Sequence, residues 1–231
     1  MKIIKNEKLI ERNGKIGQWT SLAALVILGI GMYISFTKPE LFFYSMICLV
    51  VGFIMTQIGM YMGSRWGRSP RPDEKLDAGL KGLHSEFAMY HYSTPVSHLL
   101  VGPSGVWTIH PYHQGGKVSF DKNRWKLRGG GFMQGYMRIF GQEGLGRPDL
   151  EADNDVRAVN KFLEKKMDES SIPEIKPILV FTHDEVELEP GDSPVPAMKL
   201  KQLKEFLRQS AKNRVLSSMQ INEINQALSG E

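Results

Sequence analysis

The chain has little of several features that mark common classes of protein. Its only cysteine, Cys48, has no partner among 231 residues, which excludes a disulfide-stabilised scaffold. Hydrophobic residues make up 42% of the sequence, which is too much for a disordered chain. Charge is absent from two long stretches, residues 16–37 and 41–64, and these stretches dominate the organisation of the sequence.

Both uncharged stretches are long enough to cross a bilayer, because a spanning helix needs about 20 mostly apolar residues. Neither has the polar stripe at helical spacing that a half-buried helix of a soluble domain would show. We therefore predict two transmembrane helices, over about 16–37 and 41–64, and the short link between them makes an antiparallel hairpin. A cleaved signal peptide followed by one buried helix is the alternative, but no small-residue cleavage site follows the first stretch.

The basic residues that flank the two stretches predict the orientation of the hairpin. Lysines and arginines precede the first stretch and follow the second, whereas the charged residues of the link are only Lys38 and Glu40. By the positive-inside rule, both ends of the hairpin then lie in the cytoplasm. Residues 1–15 form a basic cytoplasmic arm, which we expect to rest on anionic headgroups.

Two features inside the stretches bear on their role. Gly59 and Gly63 have the GxxxG spacing, which indicates either a homo-oligomer contact or tight packing within the hairpin. No ionisable residue lies inside either stretch, and this argues against a transporter or channel.

The polar remainder is predicted to be a stiff linker at 65–72, an α/β domain at 73–210 and a helical tail at 211–231. Strands are predicted at 87–92, 96–101, 106–109, 117–120, 124–128 and 178–181, with a further short one near Val195. Helices are predicted at 74–83, 148–167, 199–208 and from 217 or 218 onward. This alternation indicates a mixed sheet flanked by helices.

The predicted hairpin at 117–128 is rich in basic residues. Its candidates for contacts with phosphate or lipid headgroups are Lys117, Lys122, Arg124, Lys126 and Arg128. The alternative interpretation is an ordinary solvated face. The glycine-rich stretch 129–146 that follows is predicted to be a surface loop, because no βαβ pattern frames its glycines as a dinucleotide site would require.

The segment Val96–Ile109 is predicted as a strand, a Gly-Pro-Ser-Gly turn and a second strand. It resembles the central motif of the NERD (nuclease-related) domain, and the resemblance covers roughly 73–208. The resemblance implies a restriction-endonuclease-like fold of the PD-(D/E)XK superfamily. A hairpin followed by such a domain also resembles membrane-anchored bacterial proteins, which implies the plasma membrane of a prokaryote.

The family chemistry needs an Asp on the first strand and Glu-x-Lys at the end of the second. The carboxylates hold Mg²⁺ there and the lysine helps to orient the attacking water. The Asp position matches Ser97, and the Glu and Lys positions match His110 and Tyr112. None of the three offers an acidic oxygen to a hard cation. We therefore predict no catalytic residues, no resident metal and no cofactor.

Two functional hypotheses follow from this pattern. The first is a membrane-anchored, catalytically inactive nuclease-related module that binds or scaffolds an unknown protein or nucleic acid, or the membrane surface, on the cytoplasmic face. The second is a metal-dependent nuclease with a relocated active site. A transition-metal site formed by His98, His110 and His113 is a further interpretation, although no cysteine supports it.

Overall fold

The computed structural model describes residues 1–128 and 144–229. The chain divides into two compact units. One unit contains residues 7–71, and the other combines residues 1–6 with the chain from Pro72 onward. The predicted surface loop at 129–146 lies mostly outside the described residues.

The unit 7–71 is a helical hairpin. Helix α1 (Glu7–Thr37) is followed by a 3₁₀ turn (Pro39–Leu41), helix α2 (Phe42–Met62) and a π-helical turn (Gly63–Gly67). The chain thus has two helices that are long and apolar enough to cross a membrane. Their apolar side chains are mostly exposed, as expected for surfaces that lipid would cover.

Small residues let the two helices of the hairpin approach closely. A Cβ atom on Gly59 would lie 3.1 Å from the backbone nitrogen of Ser21, and one on Gly31 would lie 2.7 Å from Cβ of Cys48. The hydroxyl of Ser45 also donates a hydrogen bond of 2.9 Å to the carbonyl of Gly31. Gly59 is therefore used inside the hairpin, whereas the space beside Gly63 is open.

The second unit is an α/β domain. Its strands are β1 (Lys2–Lys5), β2 (Ala88–His91), β3 (His98–Gly102), β4 (Gly105–Tyr112), β5 (Lys117–Asp121), β6 (Arg124–Arg128), β7 (Ile175–Phe181), β8 (Glu187–Glu189) and β9 (Ala197–Lys199). Its helices are α3 (Pro72–Leu80), α4 (Pro148–Leu163), α5 (Leu200–Lys212) and α6 (Ser218–Ser229), with a 3₁₀ turn at Glu169–Ser171.

Six strands form a mixed sheet in the order β1-β2-β3-β4-β7-β9. The pairs β2/β3 and β3/β4 are antiparallel, and the other neighbours are parallel. A helical layer covers each face of this sheet. Helices α3 and α5 pack on one face through Leu76, Leu80, Leu203 and Leu207, and α4 and α6 pack on the other. The predicted mixed sheet with flanking helices is confirmed.

A smaller sheet, in the order β6-β5-β8, lies beside the first. Val118 and Trp125 point to its inner side and pack with Phe181 of the larger sheet. The residues that alternate with them, including Lys117 and Lys126, point outward because successive side chains of a strand face opposite sides.

The turn between β3 and β4 explains two glycines of the family-like motif. Gly105 adopts a φ of +112°, a conformation that residues with a Cβ rarely take. A Cβ on Gly102 would collide with the ring of Phe87, which is buried against the same sheet. These glycines are therefore required by the backbone and the packing.

The largest difference from the sequence prediction concerns the N-terminal residues. Residues 1–15 were assigned to a basic arm, but Lys2–Lys5 form strand β1 and α1 begins already at Glu7. Strand β1 pairs in parallel with β2, where Lys5 lies opposite His91. Lys15 and Glu11, which lie one turn apart, form an ion pair of 2.6 Å, and this pair supports the helix in the charged segment before the apolar stretch.

Strand β4 is also longer than its predicted range and includes Pro111. Its antiparallel pairing with β3 ends at Thr108, and only the parallel partner β7 continues beside Pro111. The proline is therefore tolerated in a strand that has lost one of its two neighbours at this point.

Candidate functional site

The three positions that the sequence motif predicted, Ser97, His110 and Tyr112, lie near the C-terminal end of β4 and the start of β3. Thr108, His110 and Tyr112 alternate along β4 and face the layer formed by α4. Ser97 is the residue before β3. Leu99 of β3 pairs with Thr108 of β4, and continuing this antiparallel register by two residues places Ser97 opposite His110. The structure thus brings the three predicted positions to one region, which we call the His110 site.

His110 is a buried and neutral group. It is 8% exposed, and its Nε2 lies 3.3 Å from the Thr108 hydroxyl. Its Nδ1 lies 3.8 Å from a carboxylate oxygen of Asp155 on α4, which is longer than a hydrogen bond. Burial lowers the pKa of His110 to about 4, because the charged imidazolium would lose its hydration. The side chain is therefore uncharged at neutral pH.

Tyr112 is held by a second carboxylate of the same helix. Its hydroxyl donates a hydrogen bond of 2.9 Å to Oε2 of Glu151. Burial, together with the negative charge of Glu151, raises the pKa of Tyr112 above its ordinary value. Tyr112 therefore remains a protonated donor, and it occupies one of the Glu151 oxygens.

Glu151 and Asp155 also belong to the His110 site, although the sequence motif does not point to them. They lie four residues apart on α4 and therefore share one face of the helix, which was the signal available in the sequence. They bring two carboxylates to the His110 site. Even so, within residues 1–128 and 144–229 no group of three histidine, cysteine, aspartate or glutamate side chains is arranged to hold a metal ion.

A second polar cluster lies on the opposite face of the large sheet. We call it the Lys5 cluster, and it consists of Lys5, Asp73, Asp77, His91 and His98. The ammonium of Lys5 donates to Asp73 Oδ2 at 2.9 Å and to Asp77 Oδ2 at 2.6 Å. Asp73 and His91 are fully buried, and His98 is only 3% exposed.

The hydrogen bonds of the Lys5 cluster form a continuous chain. Nε2 of His91 lies 3.0 Å from Asp77 Oδ1 and must donate, because a carboxylate can only accept. Nδ1 of His91 lies 2.8 Å from Nδ1 of His98, so one of these two nitrogens carries the hydrogen. The cluster therefore links β1, α3, β2 and β3.

The charges of the Lys5 cluster support one another. Burial alone would lower the pKa of Lys5, but its hydrogen bonds to Asp77 and Asp73 raise it above the ordinary value. Burial alone would raise the pKa of Asp77, but the hydrogen bonds from His91 and Lys5 lower it. The lysine and both of its partners are thus held by local bonds in a region with little water.

The histidines that could have formed a metal site are separated. His98 belongs to the Lys5 cluster on the α3 side of the sheet, whereas His110 faces Asp155 on the α4 side. His113 is exposed. The structure therefore does not bring these three side chains together.

The predicted phosphate-contact residues all lie on the hairpin of β5 and β6, at Lys117, Lys122, Arg124, Lys126 and Arg128. Lys117 pairs with Glu189 at 2.7 Å, and Lys126 pairs with Asp121. Strand β8 places Glu187 and Glu189 beside β5, so acidic side chains balance much of the charge on this surface. Contact with phosphate or headgroups stays a prediction for these residues.

No protein-family model, no curated protein and no solved structure matches the chain.

Proposed function

We propose that the protein is a membrane-anchored binding module with a nuclease-related, restriction-endonuclease-like domain that lacks metal-dependent nuclease chemistry. The two long apolar helices form the anchor in this proposal. The mixed sheet with helices on both faces is compatible with the proposed fold. The domain would act on the cytoplasmic face of the plasma membrane of a prokaryote.

The observation that carries the proposal is the state of the three family positions. Ser97 carries no charge, His110 is buried and neutral, and the Tyr112 hydroxyl is bound to Glu151. Holding Mg²⁺ takes several oxygen ligands, usually with one or two carboxylates among them. Orienting water in the family mechanism takes a cation at the position of Tyr112. The side chains at these positions supply neither.

Strand β1 supports the proposal that both ends of the hairpin lie on one side of the bilayer. Lys2–Lys5 precede the hairpin in the chain, yet they pair with β2, which follows it. Backbone hydrogen bonds between these strands can form only in one compartment. The basic residues on both flanks favour the cytoplasm for that compartment.

The partner proposed for this module is a protein or a nucleic acid, in addition to the lipid bilayer. A homo-oligomer formed through Gly59 and Gly63 has weaker support, because Gly59 packs against Ser21 within the hairpin. The hairpin interpretation of the GxxxG spacing accounts for Gly59 without a second copy.

A second candidate function is a metal-dependent nuclease with a relocated active site. The carboxylates of Glu151 and Asp155 favour it, since they lie beside Tyr112 and His110 although they come from a helix. In this candidate the helix supplies the oxygen ligands that the strands lack.

A cleavage assay on the full chain separates the two candidates. A fragment that starts after the hairpin would lack β1 and leave Asp73 without Lys5, so the intact protein in detergent is required. We expect no cleavage of DNA or RNA with Mg²⁺ or Mn²⁺ beyond that of a variant carrying Glu151→Gln and Asp155→Asn.

The matched control is Asp153→Asn, which removes an exposed carboxylate from the same helix. Cleavage that the Glu151→Gln and Asp155→Asn variant loses and the Asp153→Asn variant keeps would overturn the proposal in favour of the relocated nuclease.

A further inference from the structure

Helices α5 and α4, which lie on opposite faces of the large sheet, carry opposite charge. Helix α5 holds the bases Lys201, Lys204, Arg208 and Lys212 against one acid, Glu205. Helix α4, on the other face of the large sheet, holds the acids Asp149, Glu151, Asp153 and Asp155 against Arg157 and Lys161. The only charged residue of α6, which shares the layer with α4, is the acid Glu223. Helix α3, which shares the layer with α5, holds Asp73, Glu74 and Asp77 against Lys75, and Lys5 binds two of these acids. The excess of basic residues on that side of the sheet therefore belongs to α5, whereas α4 and α6 form an acidic side.

The bases of α5 form one stripe. At 100° per residue, Lys201, Lys204, Arg208 and Lys212 fall within about a quarter of the helix circumference. Leu203 and Leu207 lie on another side of the helix, where they are buried against the sheet. The stripe is therefore turned away from the core, and we call it the α5 basic stripe.

Most of the α5 basic stripe keeps its positive charge. Lys204 donates to the carbonyl of Lys81 at 2.6 Å and Arg208 to the carbonyl of Gly82 at 3.1 Å, and carbonyls do not neutralise a cation. Only Lys201 is in an ion pair, with Asp184 at 2.8 Å. Across the described part of the chain, no carboxylate lies within 4.0 Å of the side-chain nitrogens of Lys204, Arg208 or Lys212.

Helix α5 packs against the helix with which the chain re-enters the domain after the hairpin. The chain leaves the domain after β1 and returns at the start of α3, and Lys5 binds Asp73, so the two points are neighbours. Helix α3 packs directly against α5, because a Cβ on Gly79 would lie 2.6 Å from Leu200 and Lys204 caps the end of α3. The helix that carries the α5 basic stripe thus packs against α3, the first helix of the domain after the hairpin.

We propose that the α5 basic stripe binds the anionic headgroups of the membrane in which the protein is anchored. The inference rests on the membrane-anchoring part of the proposed function. Cationic side chains close to an anionic leaflet are attracted to it, and the acidic layer of α4 and α6 is repelled. The tether keeps the stripe at a high local concentration of headgroups, so weak individual contacts are sufficient.

Positive charge that is not neutralised by carboxylates distinguishes the α5 basic stripe from the hairpin of β5 and β6. There, Lys117 and Lys126 face Glu189 and Asp121 within ion-pair distance. Nucleic acid is the competing partner for any basic surface, but only the membrane is held close to the domain by a covalent connection.

The test places a fluorescent label on the full chain in nanodiscs whose lipids carry a headgroup nitroxide quencher. Cys48→Ser removes the native thiol, and the label is attached at Gln209→Cys on α5 or at Gln226→Cys on α6, both exposed positions. We expect stronger quenching at position 209 in phosphatidylcholine discs with phosphatidylglycerol than in phosphatidylcholine alone, and no such difference at 226. Salt at about 1 M should remove the difference, because it shortens the screening length to about 3 Å.

Two variants with the same loss of charge provide the control. The variant Lys204→Gln, Arg208→Gln, Lys212→Gln should lose the dependence of quenching on anionic lipid. The variant Lys117→Gln, Arg124→Gln, Arg128→Gln should keep it. If the first variant fails to fold, Arg208→Gln with Lys212→Gln takes its place, since both side chains are exposed.

Equal quenching at position 209 in both kinds of disc would overturn the inference, as would loss of the effect in the hairpin variant instead of the α5 variant. RNA binding that depends on the α5 basic stripe, without any effect of lipid charge, would also overturn it. Nuclease activity with normal quenching would reject only the proposed function, so the two failures are distinguishable.

Discussion

The Lys5 cluster and the His110 site are buried polar groups on opposite faces of one sheet, and they differ in charge and in hydrogen bonding. The first joins the ammonium of Lys5 to the carboxylates of Asp73 and Asp77 at 2.9 and 2.6 Å. The second holds a neutral histidine, a protonated tyrosine and carboxylates that reach toward solvent. Buried ionic bonds therefore join β1 to α3, whereas the side chains at positions 97, 110 and 112 are uncharged.

The largest expected effect comes from breaking the Lys5 cluster. Asp73→Ala removes one fully buried partner of Lys5 and should lower the free energy of unfolding by about 3 to 5 kcal/mol. Urea unfolding of the full chain in detergent, followed by tryptophan fluorescence, measures this change. Asp153→Ala, at an exposed pair 3.9 Å from Arg157, should cost less than about 1 kcal/mol. Equal losses in the two variants would contradict the contrast between buried and exposed charge.

The free energy of unfolding should depend on pH because of His110. His110 has a pKa of about 4 when folded and 6.5 when exposed, so the unfolded chain binds more protons between these values. Stability should therefore fall by up to about 3 kcal/mol as the pH drops from 6.5 to 4. Asp77, whose pKa is lowered, contributes acid sensitivity only below its ordinary value of 3.8.

His110→Leu provides the control for that measurement, since leucine does not titrate. Its unfolding free energy should be flatter than that of the wild type between pH 6.5 and 4. An unchanged slope in this variant would show that other groups are responsible for the pH dependence.

A smaller effect is expected from the bond between Tyr112 and Glu151. Tyr112→Phe should cost about 1 kcal/mol, because it removes a single hydrogen bond to a partly exposed carboxylate. Glu151→Gln should cost a similar amount, and the double variant should cost less than the sum because the two groups share one interaction. Strict additivity of the unfolding free energies would show that the bond contributes nothing.

The smallest effect is expected on the hairpin of β5 and β6. Lys117→Ala breaks an exposed ion pair with Glu189 and should change the unfolding free energy by less than about 1 kcal/mol. The change should shrink further at high salt, since exposed charges are screened. A loss of unfolding free energy as large as that of Asp73→Ala would contradict the distinction between exposed and buried ion pairs.

Local patterns explain what could be predicted from the sequence. The uncharged stretches predict α1 and α2, and the Gly-Pro-Ser-Gly turn predicts the hairpin of β3 and β4. These features depend on neighbouring residues and on hydrophobic length. The alignment of Ser97, His110 and Tyr112 at one end of β4 follows from the same local register.

Long-range contacts explain what could not be predicted. Strand β1 has only four residues, and its partner β2 lies beyond the whole hairpin in the chain. Nothing near Lys5 indicates that it will meet His91. Glu151 and Asp155 are an intermediate case, because their spacing on α4 shows that they share a face but not which strand that face meets.

Binding of Mn²⁺ to the full chain, followed by electron paramagnetic resonance of the free ion, tests the central claim most directly. We predict that the protein in detergent takes up no more Mn²⁺ than the variant with Glu151→Gln and Asp155→Asn. Stoichiometric uptake by the wild type that this variant abolishes would contradict the account, because it would show that α4 restores the cation site that Ser97, His110 and Tyr112 do not form.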